Sequence, residues 1–369
     1  MKLLILLALF GLTTAAVYQH QLIRVESRKS RMIKEGTWEA YKLTKSGTQS
    51  LNDFDDAEYL ANITVGTPPQ SFLIQLDTGS SDFWIPDSSC TDGFACRHAF
   101  DANESSTYVQ NGKSWIIRYG DGSYSEGIVG EDTVRFGSPD DEALVVPNSA
   151  IGQATKVYSG IGPDAADGIL GLAFPSIDEE KSDPILFNAF KQGLLDKPIF
   201  TVYLQERGPK KNVPGGFITY GGLDTEHCSP DVDYVDLTSA TYYQFKMDSV
   251  SLGTTKFSDG WQVISDTGTT MIYAPEEISR QLTIAAGAKA DGSIDCNASF
   301  DDLKLTIGGK EYSVPAKQLI LDEGGDNGCQ FGIRPSGDSD WILGDAWMRS
   351  YCNVFGFKDQ NIGFAKIIA

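Results

Sequence analysis

Two distant segments of this chain carry one pattern. Ile74-Gln-Leu-Asp77-Thr-Gly-Ser-Ser-Asp-Phe-Trp-Ile-Pro86 aligns with Val263-Ile-Ser-Asp266-Thr-Gly-Thr-Thr-Met-Ile-Tyr-Ala-Pro275. Each has an apolar run, an Asp-Thr-Gly core, two hydroxyl residues and a proline at the same offset. A second echo follows in each case, Asp167-Gly-Ile-Leu-Gly171 and then Asp340-Trp-Ile-Leu-Gly344. Two motifs recurring in one order, with equivalent aspartates 189 positions apart (266 minus 77), predict two structurally similar halves. The polar Pro/Gly stretch from Arg207 to Gly216 is the expected boundary. A length of 369 residues accommodates two such lobes.

One Asp-Thr-Gly is an ordinary turn sequence. Two in matched contexts place Asp77 and Asp266 at strand ends, each beside a glycine, Gly79 or Gly268, that lets backbone N–H groups come close. The hydroxyls of Ser80 and Thr269 are positioned to donate to these carboxylates, with Thr78 and Thr267 completing each turn. Brought together across a pseudo-twofold axis, the two carboxyls compete for one proton, because like charges at contact do not both ionise cheaply. A singly protonated pair activates a water with its ionised member and polarises a carbonyl with the other. That chemistry needs no covalent intermediate, metal or cofactor.

Beyond residue 55 the chain runs in short stretches rich in Val, Ile, Phe, Tyr and Thr, separated by Gly, Asp, Ser and Pro, which predicts a mostly β protein. Helical periodicity is confined to Pro184–Gln192, Pro275–Ala286 and a basic segment from Glu26 to Lys42. The first residues have the form of a secretory signal, with Lys2, an apolar run from Leu3 to Leu12, and small residues to Ala16. Ten apolar residues fall short of the ~20 needed to span a bilayer.

Residues 17 to 50 hold seven basic and three acidic side chains, a charge of +4, whereas residues 51 to 369 hold 22 and 47, a charge of −25. A basic leader therefore faces an acidic body, and that body lacks the Lys and Arg clusters that nucleic acid requires. Six cysteines behind a signal point to an oxidising compartment, with 15 connectivities open. Cys90 and Cys96, which bracket a five-residue loop, are the simplest pair. His20, His98 and His227 do not interleave with cysteines in a zinc pattern, so no metal site is expected. Asn62, Asn103 and Asn297 head Asn-X-Ser/Thr sequons and are glycosylation candidates.

These residues resemble the pepsin and cathepsin D family of aspartic proteases over nearly the whole chain after the signal. The matches are Asp77-Thr-Gly-Ser-Ser, Phe83-Trp-Ile-Pro, Tyr119-Gly-Asp-Gly-Ser, Asp167-Gly-Ile-Leu-Gly-Leu, Asp266-Thr-Gly-Thr and Trp341-Ile-Leu-Gly-Asp. The resemblance implies a bilobal, pepsin-like acid protease fold, two similar β lobes related by a pseudo-twofold axis with a substrate cleft between them. It implies an aspartic endopeptidase acting at acid pH, made as an acid-activated zymogen and expected to be a monomer. The expected division is a signal peptide at 1–16, a propeptide at 17–52, an N-terminal lobe with Asp77 and the flap at 53–209, and a C-terminal lobe with Asp266 at 210–369. Polypeptide substrates, the chain's own propeptide and pepstatin-type inhibitors are the implied partners, and a secreted or lysosomal location is the implied destination.

Carried over residue by residue, Tyr119 resembles a flap tyrosine bonded to the indole of Trp84, with Asp121 and Gly122 at the flap tip. Ile169 resembles an apolar residue below the pocket before the scissile bond, and Tyr242 one lining the pocket after it. Ala166 stands where the family often has an aromatic, and with Asp121 this implies a roomier pocket that takes bulky apolar side chains and disfavours acidic ones. Ile23 to Gly36 is similar to pepsin-type propeptides, in which a lysine pairs with the catalytic aspartates. The usual Lys-Tyr is absent here, leaving Lys42 and Lys45 as substitutes. Cys90–Cys96 and Cys296–Cys329 resemble family disulfides; Cys228 and Cys352 then remain as an expected third pair. Some members of such families keep the cleft and lose catalysis, but both Asp-Thr-Gly motifs are intact here.

Overall fold

A computed structural model describes residues 15–25, 58–91, 96–120, 122–138, 143–158, 166–205, 213–322, 328–337 and 340–368. The expected leader helix from Glu26 to Lys42, Lys45, and the expected start of the mature chain near Thr48 to Asp56 lie outside these residues. Short β-rich runs become strands, as their branched and aromatic content dictates. They are arranged in sheets of thirteen, nine and three strands.

The sequence repeat is a structural repeat. Strand Gln70–Asp77 runs parallel to Gly168–Gly171, with Ile74 opposite Gly168 and Asp77 opposite Gly171. Its counterpart Trp261–Ser265 runs parallel to Trp341–Leu343, with Val263 opposite Trp341. After each Asp-Thr-Gly turn the chain returns as a short strand, Phe83–Pro86 or Ile272–Ala274. Each return strand lies antiparallel to that same partner, Trp84 opposite Ile169 and Tyr273 opposite Ile342. Each also has a parallel neighbour on its other side, Val145–Tyr158 or Ile333–Pro335.

Glycine closes both crossings. A Cβ on Gly171 would stand 2.5 Å from the Ser81 backbone, and one on Gly344 would stand 2.1 Å from the Thr269 carbonyl oxygen. The final Gly of each second motif is thus required where the strand passes against the Asp-Thr-Gly turn.

Between the halves runs an antiparallel run of strands contributed by both. In order these are Cys228–Asp236, Asn361–Ile367, Tyr351–Gly356, Ile199–Leu204, Val213–Tyr220 and Tyr18–Val25. Residues 213–216, the described part of the expected boundary, begin the strand Val213–Tyr220, which pairs back on Ile199–Leu204; residues 207–212 lie outside the described residues. The leader is part of it too. Tyr18–Val25 pairs with Val213–Tyr220 along one edge, Tyr18 opposite Tyr220, and with Glu58–Val65 along the other, Ile23 opposite Leu60. Leu22 and Val25 of the leader are buried in the body's core.

Helices are short. Ile185–Lys191 follows Pro184, and Glu276–Ala286 follows Pro275 and ends on Gly287 at φ 76°, where a left-handed residue closes the last turn. Cys90–Cys96, Cys228–Cys352 and Cys296–Cys329 are all bonded, with Cα separations of 5.9, 6.0 and 5.1 Å. The second ties the outermost strand of the shared sheet to Tyr351–Gly356. Among the described residues no helix is long and apolar enough to cross a membrane.

Candidate active site

Asp77 ends its strand and Asp266 directly follows Trp261–Ser265, and the two face one another, 7% and 8% exposed. Their surroundings are nearly superposable. Gly79 N donates to Asp77 Oδ1 at 2.8 Å, and Gly268 N to Asp266 Oδ1 at 2.8 Å. Ser80 Oγ donates to Asp77 Oδ2, and Thr269 Oγ1 to Asp266 Oδ2 at 2.7 Å.

The same glycines allow the carboxyls to meet. A Cβ on Gly79 would lie 2.8 Å from Asp266 Oδ1, and one on Gly268 would lie 2.4 Å from Asp77 Oδ1. Each aspartate therefore packs on the opposite motif's glycine. Burial first, then the charge of Asp266, pushes the Asp77 carboxyl above its ordinary range, against the pull of Ser80 and Gly79. The pair holds a proton to higher pH than an isolated carboxyl would. Aspartic proteases are the standing example of such sharing.

Beneath the carboxyls the two turns are locked to each other. Thr78 N donates to Thr267 Oγ1 at 2.9 Å and Thr267 N to Thr78 Oγ1 at 3.0 Å. Each hydroxyl donates onward across the axis, Thr78 to the Ser265 carbonyl at 2.9 Å and Thr267 to the Leu76 carbonyl at 2.6 Å. The sequence pattern places these threonines in the two turns but does not show this reciprocal role. Their equal offset from the two aspartates was the signal. Gln75, not singled out from sequence, adds a further crossing bond, Nε2 to the Gly268 carbonyl at 3.3 Å.

Val109–Arg118 and Tyr124–Phe136 pair as a hairpin. Gly122, at φ 84°, donates to the Tyr119 carbonyl and so turns its tip; Asp121 is outside the described residues. Trp84 Nε1 donates to the Tyr119 hydroxyl at 2.7 Å. Trp84 and Ile169 share a buried apolar cluster with Trp115, Ile117, Val129, Ala154 and Val157, and Tyr119 packs against it. Trp115, its indole ring 6.5 Å from that of Trp84, was not identified from sequence.

Tyr242 is half-buried, and its hydroxyl is made harder to ionise by burial and then by Asp266 and Asp77. Its segment touches the first half directly, since Phe174 N donates to the Thr241 carbonyl and Ser176 Oγ to the Ala240 carbonyl. Asn62, Asn103 and Asn297 are exposed.

Two β halves meeting at a paired carboxyl, with a tyrosine-tipped hairpin bonded to Trp84, define an aspartic endopeptidase of the bilobal class. The sequence pattern of the eukaryotic aspartyl protease family matches residues 58–367, and the chain belongs to that family. It is 44% identical over 388 residues to aspartic protease 6 of Caenorhabditis elegans, covering 99% of both chains. It is 38% identical over 346 residues to cathepsin D of Gallus gallus, covering 88% of this chain and 85% of that one. To pepsin II-1 of Oryctolagus cuniculus it is 33% identical over 398 residues, 99% of each.

Proposed function

We propose that Asp77 and Asp266 act as one acid–base unit that hydrolyses peptide bonds of an extended polypeptide laid between the two halves. The observation that carries this reading is the mutual packing of each carboxyl on the other motif's glycine, with one N–H and one hydroxyl donor apiece. In the singly protonated state the ionised member takes a proton from water as that water attacks the carbonyl carbon. The protonated member donates to the carbonyl oxygen. Collapse of the tetrahedral intermediate breaks the C–N bond, and a carboxyl proton passes to the leaving amine. Tyr119, held by Trp84, closes over the substrate, while Ile169 and Tyr242 line the pockets before and after the scissile bond.

The leader, from about residue 17 to the low fifties, is proposed as an intramolecular inhibitor released by acid. Its strand Tyr18–Val25 occupies an interior place in the shared sheet, and its basic charge opposes the acidic body. Lys42 or Lys45 is the proposed partner of the paired carboxyls. Secretion or lysosomal delivery, and glycans on the exposed Asn62, Asn103 and Asn297, complete the reading.

The test is digestion of acid-denatured haemoglobin at about pH 3.5, with and without a pepstatin-type inhibitor, by wild type and by Asp266→Asn. Inhibitor-sensitive cleavage is expected from wild type. A folded Asp266→Asn protein that still cleaves would refute the assignment.

A further inference from the structure

Directly after the first motif's hydroxyls stands Asp82, fully buried. Its Oδ1 accepts from the Glu179 and Glu180 amides, both at 2.9 Å, and so pins the segment following Pro175–Ile177 to the start of the return strand Phe83–Pro86. Two more acids of that segment turn inward, Asp178 and Glu180, each 3% exposed. Asp178 Oδ2 accepts from the Ser182 amide, and the Asp178 carboxyl is in hydrogen-bonding reach of Asp82. Glu180 reaches under the Val145–Tyr158 strand, where a Cβ on Gly152 would lie 2.8 Å from Glu180 Oε1 and 2.5 Å from Trp115 Cε2. The cluster thus abuts the Trp84–Trp115 layer that holds Tyr119.

Three buried oxygens in this cluster, Asp82 Oδ2, Asp178 Oδ1 and Glu180 Oε1, accept no hydrogen bond from the described residues. The groups facing them are the Gly152 amide from the strand, the Ser182 hydroxyl from the segment's end, and the outward Glu179 and Lys181. Lys181 is 71% exposed, and its ammonium bonds the Asp178 carbonyl at 2.9 Å and Glu179 at 3.6 Å rather than any of the three oxygens. Buried acceptors need donors, and a carboxyl that keeps its proton is one.

We propose that Asp82, Asp178 and Glu180 form a second proton-binding unit, separate from the catalytic pair, that holds residues 178–182 against the start of the return strand Phe83–Pro86 when protonated and releases them towards neutral pH. Protons supply the missing donors, and their loss leaves adjacent buried charges opposed only by the exposed ammonium of Lys181, which bonds elsewhere. Burial, then the charge of Asp178, pushes Asp82 up to about 7. Burial also raises Asp178, and burial with its two neighbours raises Glu180. A carboxyl raised in the folded state keeps its proton where the unfolded chain has lost it. Its contribution to stability is therefore complete below the ordinary value of 3.8 and disappears as pH rises through about 7. The device sets an upper pH limit for the folded state of residues 178–182.

The experiment uses the full chain carrying Asp266→Asn, which suppresses self-digestion, and follows thermal unfolding from about pH 4 to about pH 8. In the added variant Asp82→Asn, Oδ1 keeps both amide bonds while the new amide donates to its neighbour. Asp82→Asn is expected to raise Tm at about pH 7, change it little at about pH 4, and reduce by about one the protons released on unfolding between those limits. Glu180→Gln, which removes a different member, is expected to act in the same direction. Hydrogen exchange at the Glu179, Glu180 and Ser182 amides should accelerate towards neutrality more steeply in the parent than in Asp82→Asn. Parallel Tm curves for parent and both variants overturn the proposal. So does failure of Asp82→Asn to fold, which would make the charge itself necessary. A neutral-pH gain in Tm from added Ca²⁺ or Na⁺ in the parent, absent from Asp82→Asn, would overturn it too by showing a cation in place of the protons.

Discussion

At the scale of single residues, the site is defined as much by its two glycines as by its two acids. The Cβ missing from Gly268 leaves room for Asp77, and the one missing from Gly79 leaves room for Asp266. Because both carboxyls are clamped by an N–H and a hydroxyl, neither yields without losing its orientation. Gly268→Ala is therefore expected to lower kcat/KM by about 100-fold, the penalty of a misplacement near 1 Å, while the protein still folds. Gly79→Ala should behave alike by symmetry. Normal kcat/KM in either variant, measured on a peptide substrate, would show that the carboxyls do not pack as described. Asp77, Asp266, their glycines and their hydroxyls were legible in the sequence because the repeat set them at equal offsets. Asp82, Asp178 and Glu180 were not, since 96 residues separate the first two and nothing in composition marks a carboxylate as buried. Their apposition depends on how the segment after Pro175–Ile177 folds back.

At the scale of elements, the two Asp-bearing strands, their return strands and the Gly-ended partners were readable as a repeat, and the hairpin was readable from Tyr119-Gly-Asp-Gly-Ser. The fate of the leader was less so. Tyr18–Val25 has the branched and aromatic content of a strand, yet as an eight-residue segment near a signal-like stretch it carries no mark of the sheet it joins. Nor does the polar stretch from Arg207 to Gly216 disclose that the strands around it pair with each other, since pairing is a long-range property. For the hairpin, the bond from Trp84 to the Tyr119 hydroxyl fixes where the tip can close. Tyr119→Phe removes it and leaves a buried indole N–H to find another acceptor, a loss of about 1–3 kcal/mol. The expected result is a fall in kcat/KM of roughly tenfold, with Tm lowered by a few degrees. An unchanged kcat/KM would mean that the bond contributes nothing to closure over substrate.

At the scale of the whole molecule, charge and topology act on the leader in different ways. Its strand is held by main-chain pairing on both edges, which is insensitive to salt. Its +4 charge against a body at −25 adds a long-range attraction that depends on the ionisation of surface carboxylates. That second part is screened, because the Debye length falls from ~10 Å at 0.1 M to ~3 Å at 1 M. It also fades in acid, as body carboxylates take up protons below about pH 4 while Lys and Arg keep their charge. A synthetic peptide of residues 17–50, added to the processed enzyme at about pH 6, should therefore inhibit it, since the paired carboxyls and the body charges are both ionised enough to attract it. Raising ionic strength from about 0.05 M to about 0.5 M should weaken inhibition by about tenfold, and lowering the pH to about 4 should weaken it further. Inhibition that does not respond to salt would assign the leader's grip to strand pairing alone. Release would then require unzipping the shared sheet rather than neutralising the body, and the charge segregation along the chain would have no part in activation.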